Sequence, residues 1–451
     1  MNLEKYQQYS RIARGLEQAD LVLKDARIIN VFTEEIIRGD IAIQDGIIAG
    51  IGSFQGKEER DLGGKYVCPG FIDSHLHLES TLVTPAELVT VASRHGTTTF
   101  IVDPHESANV SGLAGIDYIL EQTEDVKANV YVMMPSCVPA TGIDDNGCTL
   151  TAQDMAPYLN NSRILGLGEV MDSISVVQGD KGMHDKLELF EGRIRDGHAP
   201  FLVEGDLQAY AMAGIATDHE CSFFDYAMRE RRNGLTILIR EGSAARNLEA
   251  LVGGLVQRKM NGEGFCFCTD DKHIEDIQQE GHIDHNVRKA IRLGMNPVSA
   301  IKMATINAAN CYGLKDKGAI APGRQADLLV LSDLVNVEVE DVYYKGQLID
   351  KNENIVIKPC ASELKNTVHV AEFSKEAFHL ESKDGTFPVI LCEEGQITTR
   401  KGTLKASDGP CEFQPDDDYQ KIAVVERHKA TGKIGRGVIG GFGIRGGAIA
   451  S

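Results

Sequence analysis

The stretch Cys68-Pro69-Gly70-Phe71-Ile72-Asp73-Ser74-His75-Leu76-His77-Leu78-Glu79-Ser80 decides how the rest of the chain is read. It is an apolar run broken by two histidines one residue apart. Successive side chains of a strand point to opposite faces, so His75 and His77 project from the same face, close enough to share a cation. A His-x-His pair alone fits the solvated face of an edge strand equally well. The order of the residues after Ser80 decides between the two.

From Phe71 onward, short apolar runs alternate with helical segments, as a parallel α/β fold requires. Candidate strands fall at 70–77, 97–103, 130–134, 164–169, 193–198, 214–219, 235–240 and 264–270. That pattern predicts a TIM-like (β/α)8 barrel, whose active site lies at the carboxyl ends of the strands. Five of these strands contain or end in a residue able to bind metal: His75 and His77 on the first, Glu169 on the fourth, His198 on the fifth, His219 on the sixth and Asp270 on the eighth. Imidazole and carboxylate donors suit Zn, Mn or Fe, and a bridging carboxylate holds two such ions about 3.5–4 Å apart.

On the amino-terminal side, Leu3 to Gln18 can form a short amphipathic helix. Residues 21–50 then read as short strands, with Asp45-Gly46 as a hairpin turn between alternating apolar residues. Beyond the eighth strand, helical patterns at 287–293 and 297–312 give way to β pattern from Gly318 through Tyr344. The expected organisation is a composite small β domain from residues 1–68 and 318–360, a catalytic barrel over 69–317, and an α+β carboxyl-terminal domain over 361–451. In the last of these, Phe387 to Leu391 and Lys421 to Glu426 read as strands and the tail is rich in glycine.

Composition narrows the class. The 451 residues are 42% hydrophobic and 25% charged, as in soluble globular proteins with large cores, and the formal net charge of -20 argues against sequence-independent nucleic-acid binding. Met1 to Asp20 lacks the apolar core of a signal peptide, and no run reaches the ~18 apolar residues of a membrane span. A cytoplasmic protein is expected. Ten cysteines without a single Cys-x-x-Cys fit reduced thiols, with Cys266 and Cys268 in a buried strand. An acidic barrel enzyme of this size fits a symmetric homo-oligomer, a dimer in the simplest case.

Two motifs mislead. Gly435-Arg-Gly437-Val-Ile-Gly440 and Gly441-Phe-Gly443-Ile-Arg-Gly446 are formally Gly-x-Gly-x-x-Gly, but a dinucleotide site needs a strand before, a helix after and an acidic residue downstream. His77-Leu-Glu79 matches half of the cytidine-deaminase zinc signature, yet no Pro-Cys-x-x-Cys accompanies it.

Taken together, His75-x-His77 after Pro-Gly-Phe-Ile-Asp, Gly-Glu169-Val-Met, His198-Ala-Pro, Thr-Asp218-His219-Glu220 and Cys-Thr-Asp270-Asp271-Lys-His273 resemble the amidohydrolase superfamily. Asp103-Pro-His105-Glu106-Ser-Ala-Asn109, Arg240-Glu241-Gly-Ser243-Ala-Ala-Arg246-Asn247 and Glu280-Gly-His282-Ile-Asp284 are similar, within it, to the bacterial adenine deaminases, and the likeness runs over nearly the whole chain. The resemblance implies hydrolysis of adenine to hypoxanthine and ammonia at a binuclear centre of two divalent ions, manganese or iron, with zinc as an alternative. It implies His75, His77, Glu169, His198, His219 and Asp270 as metal ligands, Glu169 as the bridge, and Asp270 and Glu169 as catalytic residues. Asp103, His105, Ser243 and Asp271 would contact the substrate or orient the ligands. His273, His282 and Asp284 read as a solvated polar loop.

In the family the terminal Gly-Gly-Ala-Ile-Ala-Ser leads into a histidine-rich stretch, whereas this chain stops at Ser451, so the third domain is expected to be incomplete. Two further readings stay open: a chain that binds metal or purine with impaired turnover, and an amidohydrolase acting on another cyclic amidine or amide.

Overall fold

The computed structural model describes residues 2–393 and 398–450; Ser451, the expected stopping point inside the third domain, lies outside the described residues. The chain divides into two compact units, Met1–Gly142 with Cys148–Pro359, and Ile143–Gly147 with Cys360–Ser451.

The first unit contains eight barrel strands, numbered first to eighth in chain order: Phe71–Leu76, Thr97–Val102, Asn129–Met134, Ile164–Val170, Ile194–Gly197, Thr217–Asp218, Thr236–Arg240 and Phe265–Cys268. Every ladder between them is parallel. The first five form one sheet and the last three another. Backbone hydrogen bonds join the sheets into a ring: Ala216 N–H donates to the Arg195 carbonyl (2.9 Å), Asp270 N–H to the His75 carbonyl (3.0 Å) and His77 N–H to the Asp270 carbonyl (3.4 Å). All six residues of the first strand are buried, as are all six of the second. Parallel strands covered by helices on one face and barrel interior on the other require this, and it explains their continuous apolar runs.

The strand Tyr66–Pro69 leads directly into the barrel, and it belongs to a separate sheet. There it lies between Ala19–Asn30, its parallel neighbour, and Leu328–Asp333, its antiparallel neighbour, with Leu329 opposite Cys68. Segments from before and after the barrel therefore share one sheet. The hairpin between Glu35–Gln44 and Ile47–Gly52 turns at Asp45 (φ 49°) and Gly46 (φ 75°), the two left-handed residues of a type I′ turn. The first helix covers Leu3–Ala13, shorter than the 3–18 pattern, because Gly15 (φ 72°) ends it in the left-handed region.

In the second unit, Thr399–Lys405, Thr386–Cys392, Ile434–Gly440 and Tyr419–Val425 form a four-stranded sheet in that order, over a small core of Phe387, Val389, Phe413 and Val438. Among the described residues its only helical elements are two 3-10 turns, Ser362–Lys365 and Lys375–Phe378. The first glycine motif lies inside the strand Ile434–Gly440, and no helix comes after it among the described residues. The geometry a dinucleotide fingerprint needs is missing.

Candidate metal centre

The site lies at the carboxyl ends of the strands. His75 lies in the first strand and His77 just after it, on the same side, and their Nε2 atoms are 3.1 Å apart. His77 Nδ1 donates to the Asp103 carbonyl (2.7 Å). A carbonyl can only accept, so the proton sits on Nδ1 and the Nε2 lone pair faces the centre. The Asp103 side chain has a second task, since its Oδ2 accepts the Glu169 N–H at 2.7 Å. This closeness dictates the residue before Glu169: a Cβ on Gly168 would stand 2.2 Å from Asp103 Oδ2.

Glu169 draws the histidines together. Its Oε2 lies 2.9 Å from His198 Nδ1 and 3.2 Å from His219 Nε2, and its Oε1 lies 3.1 Å from His105 Nδ1 and 3.5 Å from His77 Nε2. Asp270 comes just after the eighth strand with φ 59°, a left-handed backbone unusual for a residue with a Cβ. Hydrogen bonds to the backbone of His75 and His77 hold it there, and its Oδ1 comes 3.3 Å from His77 Nε2 and 3.8 Å from His75 Nε2. The His219 ring stacks on His75 with centroids 4.1 Å apart.

All six proposed ligands therefore meet at one point. They form overlapping groups, His75/His219/Asp270, His75/His77/Glu169 and Glu169/His198/His219, each able to hold a metal ion, with Glu169 common to two. Glu169 and Asp270 are 3% and 7% exposed. Burial alone would raise both carboxyl pKa values. Hydrogen bonds from His198 and His219, with the charges of His105 and His219, instead take Glu169 well below the usual range, and the hydrogen bond from His77 with the charges of His219, His77 and His75 does the same for Asp270. Burial lowers His75, helped by His219 and His77, while Glu169 and Asp270 outweigh burial at His219 and lift it to about 10. Two buried carboxylates facing four imidazole nitrogens suit a divalent cation, which would satisfy lone pairs and charge at once. The residues fit the group.

Of the four expected substrate residues, the structure brings three to this centre. Asp103 sits behind His77 and Glu169, His105 touches Glu169, and Asp271 forms a potential ligand group with His77 and Asp270, its own Oδ1 buried without a hydrogen-bond partner. Ser243 is committed elsewhere: its hydroxyl donates to Asp276 and accepts the His273 N–H (2.8 Å), and its own N–H donates to the Asp271 carbonyl (2.7 Å). It anchors the turn that carries Asp271.

The solvated-loop reading holds for His273 but fails for His282 and Asp284. His282 is fully buried, with Nδ1 2.8 Å from Thr97 Oγ1, and Asp284 accepts the His282 N–H (2.7 Å) at the start of the helix Ile283–Arg292. Packing of that helix against the barrel buries them.

Glu220 and Arg240 stand in the motifs quoted from the sequence but received no role there. Arg240 is 1% exposed and grips Glu220 through both guanidinium nitrogens. Their positions were the sequence signals besides those motifs: Glu220 directly follows His219, and Arg240 is the one charged residue in the strand Thr236–Arg240. Glu79 and Glu106 also went unassigned. Burial, followed by the neighbouring Glu106, pushes Glu79 up to about 8.

Known proteins place this geometry. The pattern of the amidohydrolase family matches residues 66–349, and that of the adenine deaminase C-terminal domain matches residues 396–451. An adenine deaminase of Desulfitobacterium hafniense is 53% identical over 100% of this chain and 79% of its own length. One of Clostridium acetobutylicum is 43% identical over 97% and 78%. Among solved structures, an adenine deaminase aligns with TM-score 0.56 and 18% identity over 74% of this chain and all of its own, and an enamidase with TM-score 0.53 and 16% identity over 73% and 95%. At such identities the structures speak for the fold alone. A barrel with histidine and carboxylate donors gathered at its strand ends, the family pattern across it and relatives above 40% identity over 97–100% of this chain lead to one conclusion: the chain belongs to the amidohydrolase family, in its adenine deaminase group.

Proposed function

We propose that the chain hydrolyses adenine to hypoxanthine and ammonia, using the six-residue centre to hold two divalent metal ions. The observation that carries the reading is the convergence of four imidazoles and two carboxylates kept anionic in a buried site, inside a chain of the adenine deaminase group. His75, His77 and Asp270 would hold one ion, His198 and His219 the other, with Glu169 shared. Manganese or iron is the proposed identity, with zinc the alternative that the same donors accept. Bound there, such ions supply an activated water by lowering its pKa to about 7.

The protein's own groups handle the protons. Water adds to the ring carbon that bears the amino group, Asp270 accepts a proton from it, and the same carboxyl delivers that proton to the departing nitrogen as the C–N bond breaks. Asp270 suits the task because its backbone is fixed on both sides and its Oδ1 faces the histidines. Asp103 keeps His77 and Glu169 oriented. His105 and Asp271 face the base, and Ser243 sets the turn on which Asp271 sits. Burial of the centre excludes bulk water from this chemistry.

None of the described helices is long and apolar enough to cross a membrane, and the ten cysteines are free. A homo-oligomer, dimeric in the simplest case and working in the cytoplasm, completes the proposal. The test is ammonia release when purified, metal-loaded protein is mixed with adenine. Turnover that vanishes with a chelator and returns with manganese or iron is expected. Two ions per chain without ammonia release would overturn it.

A further inference from the structure

We propose that Arg240 is a positioning residue of the metal centre: it keeps Glu220 from binding the ions and turns Asp270 toward them. The inference rests on the six-ligand reading of the proposed function.

Arg240 ends the seventh strand, and four of its five N–H groups are committed. Nη1 and Nη2 engage the two carboxylate oxygens of Glu220, the second at 2.9 Å. Nε donates to Asn247 Oδ1 at 2.9 Å, and Nη1 also faces Asp270 Oδ2 at 3.3 Å. A planar fork held at three points cannot swing without breaking contacts in a buried site.

The fork acts on the centre in two ways. With Oδ2 held by Arg240, Asp270 presents Oδ1 to His77 and His75. Glu220, meanwhile, lies within reach of the same nitrogens that face Glu169: its Oε1 is 3.5 Å from His219 Nε2 and 3.7 Å from His198 Nδ1. An unpaired carboxylate there would be a seventh donor, and carboxylates bind divalent ions well. The two-pronged pairing occupies both Glu220 oxygens and balances their charge. A purely structural ion pair would also tie the strand ends together, but its loss would leave metal exchange unchanged.

The experiment compares the full chain, Arg240→Gln, Glu220→Gln and the double variant, all loaded with Mn(II). Ions per chain, the half-time of release to excess chelator, the Mn(II) electron paramagnetic resonance signal, thermal midpoint, kcat and KM are measured. Arg240→Gln is expected to hold its ions, release them roughly tenfold more slowly and show an altered signal, while kcat falls about 100-fold and KM changes little. Adding Glu220→Gln removes the spare carboxylate, so release returns to near the parent rate and kcat partly recovers. If Arg240→Gln does not fold, Arg240→Lys keeps the charge without the fork and is expected to shift release in the same direction. Unchanged release and signal in the folded Arg240 variant, or a double variant identical to the single one, would overturn the role of Arg240. A parent chain holding less than one ion after the same loading would instead overturn the ligand reading beneath it.

Discussion

Two sets of buried carboxylates in one barrel reach opposite charge states. Glu169 and Asp270, ringed by imidazoles, are held ionised. Glu230, in the helix Phe224–Arg232, is equally inaccessible, but its surroundings are a thiol and another acid. The Cys221 S–H donates to its Oε2 at 3.0 Å, and Asp218, already accepting the N–H groups of Ala199 (2.7 Å) and Glu220 (2.8 Å), stands beside it. Burial first, and Asp218 next, push Glu230 up to about 10. Desolvation acts on both sets; the partners decide the outcome. Only the set with imidazole partners is prepared to meet a metal ion as an anion.

Asp270→Asn gives the sharpest test of that contrast. It keeps the shape but removes the proton acceptor, so kcat is expected to fall by roughly 10²–10⁴-fold with both ions still bound. Ammonia release alongside metal analysis checks this, and a variant that retains its ions and most of its turnover would reduce Asp270 to a ligand only. Next in size is Gly168→Ala. The added methyl must displace the Asp103 carboxylate, which holds Glu169 in place, so metal affinity should drop by roughly 10–100-fold, read by titration with a competing chelator.

On the other side of the comparison, Glu230→Gln replaces a buried acid that must stay protonated. A carboxyl with a raised folded pKa contributes stability that is fully present below its unfolded value near 4.5 and is lost as pH rises toward about 10. The variant is therefore expected to match the parent near pH 4 and to exceed it at pH 8 by up to about 5 kcal/mol, with the gap widening between them. Thermal unfolding at the two pH values decides it; a variant less stable at pH 8 would mean that Glu230 is ionised there. The smallest effect belongs to Ser243→Ala, which keeps the backbone bond to Asp271 but removes the hydroxyl's bonds to Asp276 and the His273 N–H beside that turn. KM for adenine is expected to rise by about two- to tenfold at nearly constant kcat, as the loss of two hydrogen bonds next to the site, rather than in it, predicts. A fall in kcat instead would place the hydroxyl against the reacting atoms.

The sequence by itself determined the barrel and the six converging residues. Each of the eight candidate strands overlaps a strand of the structure, and Cys266 and Cys268 lie in the buried eighth one, because unbroken apolar runs between helices are what a doubly covered parallel strand demands. Once the strands are set, topology sends their carboxyl ends to one rim, so His75, His77, Glu169, His198, His219 and Asp270 had to meet there. Local pattern did not reveal which side chain holds which. The grip of Arg240 on Glu220, the contact of His105 with Glu169, the turn of Ser243 to Asp276 and the burial of His282 join residues 20, 64, 33 and 185 positions apart. Periodicity fixes which way a side chain points. The distance between two of them depends on strand register and helix packing, and these exist only in the folded barrel.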